Sequence, residues 1–324
     1  MQIEPRAERR VAERPLSFWN DGPARRELLD FVAAVTDPRS PDHVAVADRV
    51  ATFDNDGTLW NESPLFVQAC FLRDRVAAMV EESPALGRDP AFAAVLERDE
   101  AGLHALGKKK IVELVMCTHT GMTADAFDAI ARDWFATARH PVFDRPFPDL
   151  VYRPMRQLLA HLRAHGFAVY IVTGGGVDLV RAISEDVYGV PRANVIGSRA
   201  RARFVERGGE SAIEKLPELA SFDDRDAKPE SIYAHIGRRP ILAFGNSDGD
   251  LAMLSYATGA RGRRAGFLLH HDDGERERAY DRDFELSPLR RGLEVAHDRG
   301  WSLVSMRRDF ARVFGTTTAG DDRS

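Results

Sequence analysis

Two carboxylates, Asp54 and Asp56, stand two residues apart in Phe53-Asp54-Asn55-Asp56-Gly57-Thr58-Leu59-Trp60. They directly follow a short apolar run, Val50-Ala51-Thr52-Phe53. An apolar run that stops at acids and a glycine reads as a buried parallel strand ending in a functional loop. Alternation along the chain points both carboxylates the same way. Gly57 lets the backbone turn and approach a ligand. Two adjacent acids suit a metal, a general acid/base pair, or a nucleophile beside an acid/base. A bare Asp-Gly pair is usually only a turn; its place at the end of a hydrophobic strand sets this one apart.

Three further polar patches lie at expected strand or helix ends. Thr173-Gly174-Gly175-Gly176 follows the apolar run 167–172, and a hydroxyl with backbone N–H groups there could cradle an anion. It lacks the spacing and downstream acid of a dinucleotide fingerprint. Lys228 opens a helix in Asp226-Ala227-Lys228-Pro229, where an ammonium could hold a phosphate oxygen and offset crowded carboxylates. Gly245-Asn246-Ser247-Asp248-Gly249-Asp250 follows Ile241-Leu242-Ala243-Phe244, and its oxygens suit Mg²⁺.

In this order the four patches resemble the motifs of the haloacid dehalogenase (HAD) superfamily of aspartate-nucleophile phosphohydrolases, over roughly residues 46–270. The long interval between Asp54 and Thr173 resembles the phosphoserine phosphatase branch, which carries a helical cap there. The resemblance implies that Asp54 is the nucleophile and forms an aspartyl-phosphate, and that Asp56 protonates the leaving oxygen and then activates water. It implies that Thr173, Gly174 and Lys228 bind the phosphoryl group, and that Mg²⁺ sits among Asp54, Asp56, Asn246 and Asp250. The last motif departs from the family pattern: Asn246 stands where an aspartate is usual, so Asp248 or Asp250 is an alternative ligand. An acid at Asp56 favours phosphoryl transfer over dehalogenation, since halide leaves unprotonated. A phosphonate hydrolase would need a cap lysine, and Lys108, Lys109 and Lys110 read as a solvated helix end.

The expected enzyme is a Mg²⁺-dependent phosphatase acting on a small phosphorylated metabolite. The alternatives are a phosphotransferase or mutase with the same chemistry, or a non-catalytic phosphometabolite-binding protein on a decayed scaffold, suggested by Asn246. Trp60, Glu62 and His119, the last in the polar stretch 118–121, are candidate substrate contacts.

The elements that must position these residues form an α/β pattern. A helix is expected over 21–36, capped by Asp21, then the first strand, then long helical stretches at 65–82, 90–106, 109–116 and 124–138. From Val151 onward, strands at 167–172, 194–196, 241–244, 267–269 and 303–306 alternate with helices. That alternation predicts a doubly wound parallel sheet. The expected organisation is a flexible arm over 1–20, a Rossmann-like catalytic core over 21–61 and 150–324, and an all-helical cap inserted over 62–149. The cap aromatics Phe66, Phe71, Phe92, Phe127, Trp134 and Phe135 are expected mostly in the cap core. His270-His271-Asp272-Asp273 looks like a metal cluster but reads as a polar strand end, because adjacent strand residues face opposite ways.

The chain has 324 residues, 44% hydrophobic and 29% charged, which is a globular composition. Its 45 basic against 50 acidic residues give a formal charge of −5, which argues against a nucleic-acid or anionic-membrane binder. The arginines at 199–203 and 261–264 therefore read as exposed strands or turns. No apolar stretch reaches the length of a membrane span. The N-terminus alternates Arg and Glu without an apolar core, unlike a secretory signal. The two cysteines, Cys70 and Cys117, read as reduced core thiols, and the expected location is cytoplasmic.

Overall fold

The computed structural model describes residues 14–97, 114–115 and 118–315. Seven strands form one sheet in the order β4-β3-β2-β1-β5-β6-β7. They are β1 (Val50–Phe53), β2 (Ala168–Gly176), β3 (Val195–Arg207), β4 (Glu210–Ser221), β5 (Leu242–Gly245), β6 (Ala265–His270) and β7 (Ser302–Ser305). All neighbours run parallel except β3 and β4. The central β1 is wholly buried, as parallel strands covered on both faces must be. The fold is thus the expected α/β core.

Residues of β2, β3, β5 and β6 divide between two separate cores. Ala51, Phe53, Ile171, Phe244 and Phe267 share one with α1 (Pro23–Thr36) and the helix Arg153–Ala164. Val172, Ile196, Ala243 and Leu268 share the other with the helices Ala227–Ile236 and Leu251–Thr258. Phe53, Phe244 and Phe267 are register partners on β1, β5 and β6, and their rings stack at 6.0 and 5.4 Å. This aromatic row lies one residue below Asp54 and Gly245, so it fixes the height of the loops above.

Between β1 and β2 lie the helices Val67–Glu82, Pro90–Glu97 and Ala124–Thr137. Thr123 caps the last, as its sequence position suggests, by accepting from the Ala126 amide at 3.1 Å. Phe71, Phe127 and Trp134 pack edge to face within the cap. The expected helix over 109–116, the triple lysine and Cys117 lie wholly or mostly outside the described residues, while Cys70 is buried.

Several expectations need correction. The strand expected over 194–196 runs on to Arg207 and turns back as β4, making a hairpin between Thr173 and Lys228. The hairpin joins the cap: Gly121 N–H donates to Lys215 O at 3.0 Å, and Lys215 N–H to Met122 O at 2.9 Å. These two backbone hydrogen bonds tie the core hairpin to the inserted helical segment. Helix α1 begins after Gly22, with no side-chain cap, because the Asp21 carboxylate pairs with Arg14 and Arg25 instead. The end of the supposed flexible arm is anchored, since Leu16 and Trp19 are 1% exposed and Trp19 Nε1 donates to Pro154 O at 2.9 Å. The helix expected after the glycine run is short, Val177–Arg181. Among the described residues, no helix is long and apolar enough to cross a membrane.

Candidate active site

The strand order reverses about β1, and ligands bind outside the carboxyl ends of strands at such a switch point. Asp54 leaves β1 there, its N–H donating to Phe244 O at 2.9 Å. Lys228 Nζ donates to Asp54 Oδ1 at 2.6 Å and to Asp250 Oδ1 at 2.6 Å. All three side chains are almost fully buried. Burial and the Asp250 charge push the Asp54 carboxyl up, against the pull of Lys228. Burial alone would lower Lys228, but the Asp250 and Asp54 carboxylates outweigh it and hold the ammonium charged.

Asp56 sits on the same side. Its Oδ1 accepts from Trp60 Nε1 at 2.9 Å, and its Oδ2 lies 3.5 Å from the Thr173 hydroxyl. Burial raises its pKa, with these donors opposing. Thr173 Oγ1 also accepts from the Gly175 amide at 3.0 Å, and Gln68 of the cap accepts from the Gly176 amide at 2.7 Å. Gly197 is the register partner of Thr173, and a Cβ there would come within 2.9 Å of the Thr173 methyl.

The turn itself requires Gly57, at φ +72°. A Cβ there would meet Asn246 Nδ2 at 2.1 Å and Glu62 Oε1 at 2.3 Å. The Asn246 amide is oriented by its neighbours: Nδ2 donates to Glu62 Oε1 at 2.8 Å, and Oδ1 accepts from the Thr58 hydroxyl at 3.0 Å. Glu62 Oε1 also accepts from Tyr280 at 2.8 Å and Ser287 at 2.6 Å. Burial nonetheless pushes Glu62 up to about 7.

Asp54, Asp56, Thr173, Lys228, Asn246, Asp250 and Glu62 therefore converge. Two metal candidates are otherwise engaged. Both Asp250 oxygens are used, Oδ1 by Lys228 and Oδ2 by the Asn246 and Ser247 amides at 3.0 Å each, so Asp250 braces the loop and the lysine. Asp248 turns away and accepts from the Arg291 and Gly292 amides. Trp60 is 2% exposed against Phe135 and Tyr188 and does not line the cavity; it orients Asp56. The His270–Asp273 side chains disperse: His270 faces Asp281, His271 faces Glu277, Asp272 faces Ser305 and Asp273 faces Arg276. Among the described residues, no group of three or more His, Cys, Asp or Glu could hold a metal.

A cavity of about 410 Å³ opens above the carboxylates. Gly174, Glu62 and His119 line it, together with Phe66, Leu72, Leu219, Phe222 and Leu286. Burial pushes His119 down to about 4, so its imidazole is neutral. Sequence reasoning missed Gln68 and Lys215, which also line the cavity. Lys215 pairs with Asp178 and lies 4.9 Å from the centre of the Phe127 ring. No motif marks either residue, because only the cap and hairpin packing brings them to the core.

Residues 51–255 match the family model of haloacid dehalogenase-like hydrolases. No curated protein matches the chain. Among solved structures, a protein of unknown function from Bordetella pertussis Tohama I is 16% identical, with a TM-score of 0.51 and coverage of 79% of this chain and 97% of that one. A conserved, functionally unknown protein from Anaerococcus prevotii DSM 20548 is 16% identical, with a TM-score of 0.55 and coverage of 87% and 91%. These two likenesses concern the fold. The family match spans well over half the sequence and contains all four motifs: this chain belongs to the haloacid dehalogenase-like hydrolase family.

Proposed function

We propose that the protein is a phosphatase that hydrolyses a small phosphomonoester through an aspartyl-phosphate on Asp54. The observation that carries this reading is the convergence of two distinct carboxyls at the end of β1. Asp54 contacts a lysine at 2.6 Å, while Asp56 has its pKa raised by burial and, among the described residues, no cation in hydrogen-bond contact. Such a pair divides into nucleophile and acid/base. An Asp54 carboxylate oxygen attacks phosphorus as the ester P–O bond breaks, and Asp56 delivers its proton to the departing oxygen. Asp56, now a carboxylate, takes a proton from the water that attacks the acyl phosphate, which restores Asp54 and releases phosphate. Thr173, the Gly174 backbone and Lys228 face the phosphoryl oxygens.

The site also suits a hard cation. Asp54, Asp56, Glu62 and Asp250 are acids within or beside it, and among the described residues Lys228 is the one cation in hydrogen-bond contact with Asp54. Asp54, the Asp56 carbonyl and the Asn246 amide oxygen are the oxygen donors that would hold Mg²⁺. When bound, Mg²⁺ supplies charge screening between carboxylate and phosphate.

The leaving alcohol is proposed to be largely apolar. Leu219, Phe222 and Leu286 are exposed and sit on the cavity wall, where unpaired apolar surface marks a binding region. Asp54→Asn tests the chemistry directly: turnover of p-nitrophenyl phosphate should vanish, and undiminished turnover sinks the reading. Product analysis with added alcohols separates hydrolysis from phosphotransfer.

A further inference from the structure

Behind the nucleophile turn lies a buried cluster of ionisable groups that the proposed chemistry does not use. It comes from the segment after β6. His271 is 2% exposed, and the Glu277 side chain is fully buried. His271 Nδ1 lies 2.9 Å from Glu277 Oε2, and its Nε2 lies 2.7 Å from the Gly57 carbonyl oxygen. The other Glu277 oxygen accepts from Tyr152 and, at 2.7 Å, from Asn61. The His271 ring stacks on Tyr280 at 4.3 Å, and Tyr280 donates to Glu62.

The protonation of the ring follows from its partners. A backbone carbonyl can only accept, so Nε2 must carry a proton. A Glu277 carboxylate can likewise only accept, so Nδ1, which faces its Oε2 at 2.9 Å, carries one as well. Burial alone would lower the imidazole pKa, but Glu277 and the Gly57 carbonyl outweigh it and raise it, in keeping with that arrangement. The pair is a buried imidazolium–carboxylate bridge aimed at one peptide bond.

That peptide bond has consequences for the site. The Gly57 N–H donates to Trp60 O at 2.9 Å, which fixes the plane of the Asp56–Gly57 peptide. In a planar trans peptide the C=O points opposite to the N–H, so the Asp56 carbonyl faces away from Trp60. The His271 bond fixes the next plane, Gly57–Thr58. With both planes held, the glycine has no freedom to swing, although it lacks the side chain that imposes the usual limits.

We infer that His271, backed by Glu277, is a positioning residue: its Nε2–H grips the Gly57 carbonyl and thereby aims the Asp56 carboxyl and carbonyl. Its kinetic consequence rests on the phosphatase reading; its hydrogen-bond arrangement does not. His271→Leu keeps apolar bulk but removes the donor. A misplacement of about 1 Å in catalytic geometry costs about 100-fold in rate, so kcat for p-nitrophenyl phosphate should fall on that scale with KM little changed. His271→Gln, which can present an amide N–H at the Nε2 position, should recover most of that loss. ¹⁵N NMR of the resting wild-type protein should show protons on both His271 ring nitrogens. Three results would overturn the inference: a kcat retained in His271→Leu, a His271→Gln variant no better than the leucine, or an unprotonated Nε2. If His271→Leu does not fold, His271→Gln and the NMR decide. A wild-type protein inert toward the ester defeats the phosphatase reading instead, and the NMR then decides this one.

Discussion

Replacing Lys228 by methionine tests the electrostatics of the site most sharply. The change keeps the length of the side chain and removes the ammonium. Nζ lies 2.6 Å from Asp54 and 2.6 Å from Asp250, with side-chain exposures of 3%, 10% and 1% for the lysine and the two acids. Removing one partner of a buried ion pair costs about 3–5 kcal/mol, because a buried charge is left uncompensated. Here two carboxylates lose their shared cation, so the upper part of that range is expected near pH 8. The sign of the pH dependence follows. Without the lysine, the Asp54 carboxyl, already raised by burial and the Asp250 charge, loses the cation that opposes them and moves further above its unfolded value of about 3.9. A group whose folded pKa is raised contributes stability below its unfolded pKa and loses it as pH climbs through the folded one. The deficit of Lys228→Met should therefore be smaller at pH 5 than at pH 8. Denaturant melts of both proteins at the two pH values measure it. Adding Asp250→Asn should recover part of the deficit at pH 8, since one buried charge then remains rather than two. Turnover should also fall by about 10²–10³-fold, the scale for loss of one electrostatic stabiliser. A deficit of equal size at both pH values, or none at all, refutes the reasoning.

Other outcomes follow from single contacts. Trp60→Phe removes the 2.9 Å bond to Asp56 Oδ1, worth about 1 kcal/mol net, and should lower kcat by roughly fivefold with KM unmoved; steady-state kinetics check this. Asn246→Asp replaces a donor 2.8 Å from Glu62 Oε1 with a second carboxylate, so Tm should drop without metal and recover more than wild type does when Mg²⁺ is added. Thermal melts with and without Mg²⁺ decide it, and a higher metal-free Tm contradicts the assigned amide orientation. His119 is held neutral, at about 4 against 6.5 for the free imidazole. Below pH 6.5 the unfolded chain binds a proton that the folded one refuses, so stability falls as pH drops toward 4, by up to about 3 kcal/mol. His119→Gln should flatten that part of a stability–pH curve, and an unchanged slope argues against a buried neutral ring.

Much of the catalytic half was legible in the order of residues. An apolar strand followed by Asp-x-Asp-Gly needs no distant contact to be recognised, because the strand, the turn and the acids are local. The hairpin was not. Along Arg199–Phe204 arginines alternate with Ala200, Ala202 and Phe204, which marks an exposed strand, but both of its faces are exposed through much of its length, so the alternation does not say what it pairs with. It is held by pairing, with Arg203 opposite Glu214 in the register and bonded to it at 2.9 Å. Cross-strand pairs of that kind exist only once both strands are present.

The sequence by itself determined which residue types carry the chemistry and which strand each one follows. Strand alternation and turn chemistry act over a few residues, and those rules are written locally. Tertiary structure alone decided the division of labour among the acids. Asp250 and Asp248 sit two apart in one motif, yet one braces Lys228 and the other accepts from the Arg291 and Gly292 amides, outside the cavity lining. His271, in a motif that suggests a metal cluster, instead reaches back to Gly57. Where a polar group ends up depends on which donors and acceptors are buried beside it. The deciding partners, Lys228 for Asp250, Arg291 for Asp248 and Gly57 for His271, lie tens to hundreds of residues away, beyond the reach of any local pattern.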